Sequence, residues 1–149
     1  MQLKEQIYNA CVQLLQQKVN DYTEALHELT AGIENDSKSS AGDKHETARA
    51  MAQLEQEKIN RQLSEVSIQL ELLQQININI PSLKVIKGSL VKTDKGLLFL
   101  SVAIGKLFID DKAVIVLSPQ SPLGQQLTGL QSTDSAEING TRYTIEEIL

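Results

Sequence analysis

Aromatic residues are almost missing from this sequence: three tyrosines, two phenylalanines and no tryptophan in 149 residues. A platform on which successive bases stack needs more rings than that, so single-strand binding of that kind is disfavoured. Cys11 is the only cysteine, which excludes an internal disulfide and a thiolate-rich metal site. It falls on an apolar stripe, where a buried small hydrophobe is the expectation. No proline occurs before Pro81 and no glycine before Gly32, so nothing interrupts a helix in the opening stretch. Long apolar runs are lacking too: the longest, 96–105, is far too short to span a bilayer. The start, Met1-Gln2-Leu3-Lys4-Glu5-Gln6, is charged and has no apolar leader, which predicts a cytoplasmic protein without a membrane partner.

What charge there is lies unevenly. Residues 1–80 hold seven Lys or Arg against twelve Asp or Glu, whereas 81–149 hold seven of each. An acidic first half repels a phosphate backbone, so general nucleic-acid binding by that half is disfavoured. A partner with a positive surface, or a bound cation, suits it better.

Residues 3–33 read as one amphipathic helix. Leu3, Ile7, Cys11, Leu14, Tyr22, Leu26, Leu29 and Ile33 recur at steps of three and four, with a polar interruption at Lys18 and Gly32 as a stop signal. Residues 34–42 have the composition of a turn. A second helix is expected over 43–76, with the stripe Ala48, Met51, Ile59, Leu63, Val66, Leu70 and Leu73. Two long helices joined by a short polar link should fold back as an antiparallel coiled-coil hairpin, each arm about 45 Å long. Its tip is expected near 34–46.

Beyond Pro81 the period changes to that of strands, at 85–91, 97–104, 106–109 and 114–117. Ser121 followed by Pro122 marks the start of a short helix over 122–127. Two final strands should flank Asn139-Gly140, the strongest hairpin signal in the chain. The expected architecture is therefore α+β: a helical hairpin over 1–80, then a small, mostly antiparallel β domain over 81–149 with one short helix.

Candidate chemistry concentrates at the helix junction. Asp43 and Glu46 stand three apart at a helix start, so their carboxylates share one part of its surface. The helix dipole favours their ionised forms. Two carboxylates at the end of a rigid arm suit Mg²⁺, which keeps waters and completes its shell from another macromolecule. The same spacing is also a capping box, with Asp43 as N-cap and Glu46 reaching back. His45 and His27 read as surface residues. No Ser-His-Asp order, P-loop or dinucleotide fingerprint occurs, so a self-contained active site is not expected.

The segment Val116-Leu117-Ser118-Pro119-Gln120-Ser121-Pro122-Leu123-Gly124-Gln125-Gln126-Leu127-Thr128-Gly129 resembles the C-terminal signature of the GreA/GreB transcription elongation factors. Gly140, Tyr143, Ile145 and Ile148 are similar to that family's closing strands, and Gly42-Asp43-x-x-Glu46-x-Ala48 is similar to its hairpin tip. The two motifs come in the family's order and cover nearly the whole chain. The resemblance implies an FKBP-like C-terminal domain and a monomer that binds RNA polymerase through its secondary channel. It further implies that Asp43 and Glu46 help hold the second catalytic Mg²⁺ of the polymerase, where backtracked RNA is cleaved at its 3′ end. On this reading the chain is not itself an enzyme and carries no cofactor of its own. Ser118, Pro119, Ser121, Pro122 and Gly124 are the implied polymerase-contacting loop; Ser-Pro turns and an N-cap explain the same residues structurally.

Three alternatives stand beside this reading. Thr47 and Ala50 replace the family's Asn and a nearby aromatic, and Ser132-Thr133-Asp134 replaces its Gly-Asp turn, which suits a channel-binding regulator without cleavage. A prolyl isomerase would need an aromatic-lined pocket, for which Phe99, Phe108 and Tyr143 are too few. A coiled-coil interaction protein of the prefoldin kind places its strands between its helices, and here both helices precede every strand.

Overall fold

The computed structural model describes residues 2–37 and 42–149, with the side chains of 3–34 and 46–149. Two long helices, α1 (Gln2–Ser37) and α2 (Gly42–Gln74), precede six strands and a short helix: β1 (Leu90–Thr93), β2 (Gly96–Leu100), β3 (Gly105–Ile109), β4 (Lys112–Leu117), α3 (Pro122–Leu127), β5 (Ser135–Ile138) and β6 (Thr141–Ile148). The chain is an α+β protein, a helical hairpin followed by a small sheet that is antiparallel at every pairing but one. Packing divides it into two compact units, Gln13–Leu70 and Met1–Val12 with Glu71–Leu149.

In the unit Gln13–Leu70 the helices are antiparallel. Gln56 Nε2 donates to Thr30 Oγ1 at 3.0 Å, while Lys18 and Tyr22 share a cleft with Gln62, Val66 and Gln69. As the position advances along α1, its partner retreats along α2. The inward residues of α2 are Ala52, Gln56, Ile59, Leu63, Val66 and Leu70, alternating steps of four and three. That is the strict heptad of a coiled-coil seam. The sequence stripe placed Ala48 and Met51 on this seam, but both are exposed, Met51 by 66%. Following apolar residues instead of the period led one residue off register.

Gly32 does not end α1. The helix runs on to Ser37, because one glycine costs a helix interior only about 1 kcal/mol and lengthening continues past it. α2 begins at Gly42, one residue earlier than expected, and ends at Gln74.

In the unit built on the sheet, the strand order is β3-β4-β2-β1-β6-β5. β2 and β4 are the parallel pair, Leu98 lying opposite Ile115 and Leu100 opposite Leu117, so β4 inserts between β2 and β3. The first strand is shorter than expected. Val85 is buried outside it, exchanging backbone hydrogen bonds with 129–130: its N–H donates to the Leu130 carbonyl at 2.8 Å and its carbonyl accepts from Gly129 N–H at 2.9 Å. The closing hairpin forms at Asn139 and Gly140, with φ of 51° and 80°, the left-handed pair that a two-residue turn of this type needs.

Both faces of the sheet are covered. Val91, Leu98, Leu100, Leu117, Ala136 and Ile145 form one core with Leu127 of α3 and Val85. The alternate residues Leu90, Phe99, Val114 and Val116 are buried on the opposite face. Leu3 shares a cleft with Lys92, Leu97 and Glu147 of that face, so the first turns of α1 lie over it. There Lys4, Ile7 and Cys11 are all buried, at steps of three and four. Burial pushes the Cys11 thiol up to about 12 and makes it inert as a nucleophile. Tyr8 Oη donates to the Leu73 carbonyl at 3.4 Å near the end of α2.

Candidate functional site

The helix junction is described in part. The side chain of Asp43 and the link 38–41 lie outside the described residues. The backbone of Asp43 is helical, inside the first turn of α2. The capping-box alternative turns on the Asp43 side chain and so lies outside the described residues. Glu46 stands four residues into the helix and is exposed. An exposed carboxylate on a rigid helix meets one requirement of a shared Mg²⁺ site, which takes one or two carboxylates from a given partner. Among the described residues no group of three His, Cys, Asp or Glu side chains could hold a metal.

The second candidate is the loop 118–124 that joins β4 to α3. Ser121 is the N-cap of α3: its Oγ accepts from Gly124 N–H at 3.1 Å and donates to the Ser118 carbonyl at 2.7 Å. Ser118 Oγ accepts from Gln120 N–H at 3.1 Å, and Thr128 Oγ1 returns to the Gly124 carbonyl at 2.8 Å. Pro122 opens the helix, where its missing N–H loses nothing. Gly124 is buried, and a Cβ there would drive into the Ser118 carbonyl oxygen and approach Ser121 Oγ at 2.9 Å. Each hydroxyl of the motif is thus used within the loop. The structural explanation accounts for the burial and bonding of Ser118, Ser121, Pro122 and Gly124; Gln120 and Pro122 are exposed and Pro119 is half-buried, so one glutamine and two prolines are what the loop offers outward.

Two features escaped the sequence reading. Phe108, on the edge strand β3, is 70% exposed, with the Lys106 ammonium 5.3 Å from its ring centroid. Ile115, exposed on the neighbouring strand, belongs to the same face. Alternation along β3 would have identified Phe108 as outward-facing, but not that the strand lies at an edge. The other is Lys4. Its spacing to Ile7 and Cys11 puts a cation on the buried line of α1, a signal visible in the sequence once that line is traced back to its first residue.

No family model matches the chain, and no curated protein matches it in sequence. Two solved structures align with most of it. The crystal structure of GreA factor homolog 1 (Gfh1) protein of Thermus thermophilus is 15% identical over 93% of this chain and 94% of that one, with a TM-score of 0.35. A structure of the transcription factor Gfh1 is 18% identical over 91% of this chain and 93% of that one, with a TM-score of 0.36. At those scores the superpositions carry no argument about fold or function. Among the described residues no helix is long and apolar enough to cross a membrane.

Proposed function

We propose that this protein is a Gre-like transcription elongation factor, which enters the secondary channel of RNA polymerase with its helical hairpin and stimulates cleavage of backtracked RNA. One observation carries the reading. An acidic Gly42-Asp43-x-x-Glu46 start to the second of two long antiparallel helices is followed, further along the chain, by a sheet whose β4–α3 connection is the Ser118–Gly124 turn and cap.

In this reading the protein makes and breaks no bond of its own. Mg²⁺ belongs to the polymerase active site, where it lowers the pKa of an attacking water and neutralises charge on the phosphate. Glu46, held by the helix, supplies a carboxylate with Asp43, and the acidity of the first half keeps the hairpin from gripping RNA or DNA along its length. The sheet unit supplies the docking contacts, through the outward prolines of 118–124 and the exposed Phe108.

RNA shortening in purified backtracked polymerase complexes tests the proposal. Asp43→Ala and Glu46→Ala should each lower cleavage on the order of 100-fold, the scale of losing one electrostatic stabiliser of a transition state. Cleavage by both variants at the wild-type rate would remove the metal-ligand role. Polymerase binding without any cleavage by the wild type would convert the reading to that of a channel regulator, which the replacement of the family's Asn by Thr47 favours.

A further inference from the structure

Lys4 is the one lysine among the described residues that the fold buries. It is 6% exposed, on the line it shares with Ile7, Cys11 and Leu15. No hydrogen bond or ion pair among the described residues reaches its ammonium, which keeps contact with solvent while the stem is covered; the ion pair they contain is Lys95 with Asp94. A lysine this well covered is uncommon unless paired, since covering it strips part of the water from the charge and freezes a flexible side chain. The position adds to that burden. Lys4 lies in the first turn of α1, where the helix's own partial charge is positive. Desolvation accordingly lowers the pKa of the amine.

The side chain lines a cleft of about 210 Å³ with Ile78, Asn79, Ile80, Pro81 and Leu149. Apart from Asn79 the walls are aliphatic, and the segment 77–79 is pinned by its own turn, Asn79 N–H donating to Asn77 Oδ1 at 2.9 Å. Ile80, 52% exposed, and Leu149, 38% exposed, leave the cleft open to entry. Glu147 lines the neighbouring cleft with Leu3 and Lys92, and Glu5 lines another with Tyr8 and Asn77; neither forms an ion pair with Lys4.

We infer that this cleft binds a small aliphatic carboxylate, whose anionic head pairs with the Lys4 ammonium and whose hydrocarbon stem lies against Ile78, Ile80, Pro81 and Leu149. Charge and size select the class. A single ammonium suits a monoanion, whereas a phosphate would leave oxygens unpaired against aliphatic walls. Drug-sized ligands occupy pockets of roughly 300–1,000 Å³, so a smaller cleft takes an acid of a few carbons. The inference is independent of the polymerase reading.

Hexanoate is the probe, titrated into the full chain and followed by amide NMR, with 1-hexanol and sodium chloride as comparators. Saturable shifts at Lys4, Ile78, Ile80 and Leu149 are expected, with a dissociation constant on the order of 1 mM for so few contacting atoms. Hexanol should bind at least about tenfold more weakly, the ratio expected of one charge-assisted contact. Lys4→Met should abolish the difference between acid and alcohol, and Lys4→Arg should keep it. Equal binding of acid and alcohol by the wild type, or no saturable shift with hexanoate, overturns the inference whether or not Lys4→Met folds. So does hexanoate binding that is unchanged in a folded Lys4→Met protein.

Discussion

The two packing units bury their residues in different ways. In the sheet unit a strand residue has a layer of side chains on whichever face it points to, and Leu90, Val91, Leu98, Phe99 and Leu100 are all essentially inaccessible. In the unit Gln13–Leu70 each helix has one partner, so only a seam is covered. Ile59, Val66 and Leu70 approach full burial there, while Tyr22, Leu26 and Leu29 remain half-exposed. A pair of helices gains little from any one residue and is correspondingly tolerant. A two-faced sheet concentrates its stability in a few residues and is correspondingly brittle.

That contrast is sharpest where a large side chain is removed. Phe99→Ala should cost the sheet unit about 4 kcal/mol, by lost transfer energy and the cavity left behind. Native-state hydrogen exchange at the β2 amides reads that loss directly. Val66→Ala on the hairpin seam should cost no more than about 2 kcal/mol at the α2 amides, and equal losses would break the comparison. Next in size is Gly124→Ala, expected to cost about 3 kcal/mol because the added methyl meets the Ser118 carbonyl, a backbone atom that cannot swing aside. Thermal unfolding followed by circular dichroism measures it; a neutral result would mean that the Ser121 cap is dispensable.

The hairpin should respond in the opposite direction to a small change. Gly32 is an exposed residue inside α1 with open space where a Cβ would stand. Gly32→Ala should therefore stabilise α1 by about 0.5–1 kcal/mol, read from slower exchange of its amides, and any destabilisation would contradict a continuous helix there. The smallest effect belongs to exposed Asp94. The Thr144 N–H donates to Asp94 Oδ1 at 2.8 Å, and with the Lys95 ammonium at 3.1 Å it holds the carboxyl below its ordinary 3.8. A depressed folded value means that this pin contributes fully above pH 3.8 and is lost as pH falls through the lower, folded value. The Thr144 amide shift should titrate in that acid range in the wild type and stay flat in Asp94→Asn.

Local chemistry made some elements legible from sequence. Asn139-Gly140 allowed one tight turn, and Ser121-Pro122 allowed one helix start; β5, β6 and α3 follow. Ile7 and Cys11 marked a buried helix face because the first turns of α1 lie on a sheet and are covered as a core residue is. Elements whose partners are distant in sequence stayed hidden. The parallel pairing of β2 with β4 depends on β3 lying outside them, which no residue of β2 encodes. Val85 looked like strand because it is apolar and buried, yet its partners are Gly129 and Leu130. On α2 the seam contains Ala52 and Gln56, which hydropathy ranks below Met51, so the period was visible only with its polar member included. Of the candidate sites, the cap at Ser121 could be read from four residues, whereas Lys4 and Phe108 became notable only once their surroundings were known.

Gln56 and Thr30 deserve a last consequence. Gln56 and Thr30 satisfy each other at this setting of the two helices, and a slide of less than a heptad would part them and leave the half-buried glutamine amide without its partner. The pair thus works as a detent that holds the helices at one setting. Glu46 lies ten residues before Gln56 on the same helix, about 15 Å along its axis. Whatever reads that carboxylate is reading a length measured from the detent, so a seven-residue insertion between the two should shift the reach of the acid by about 10 Å while leaving its chemistry intact.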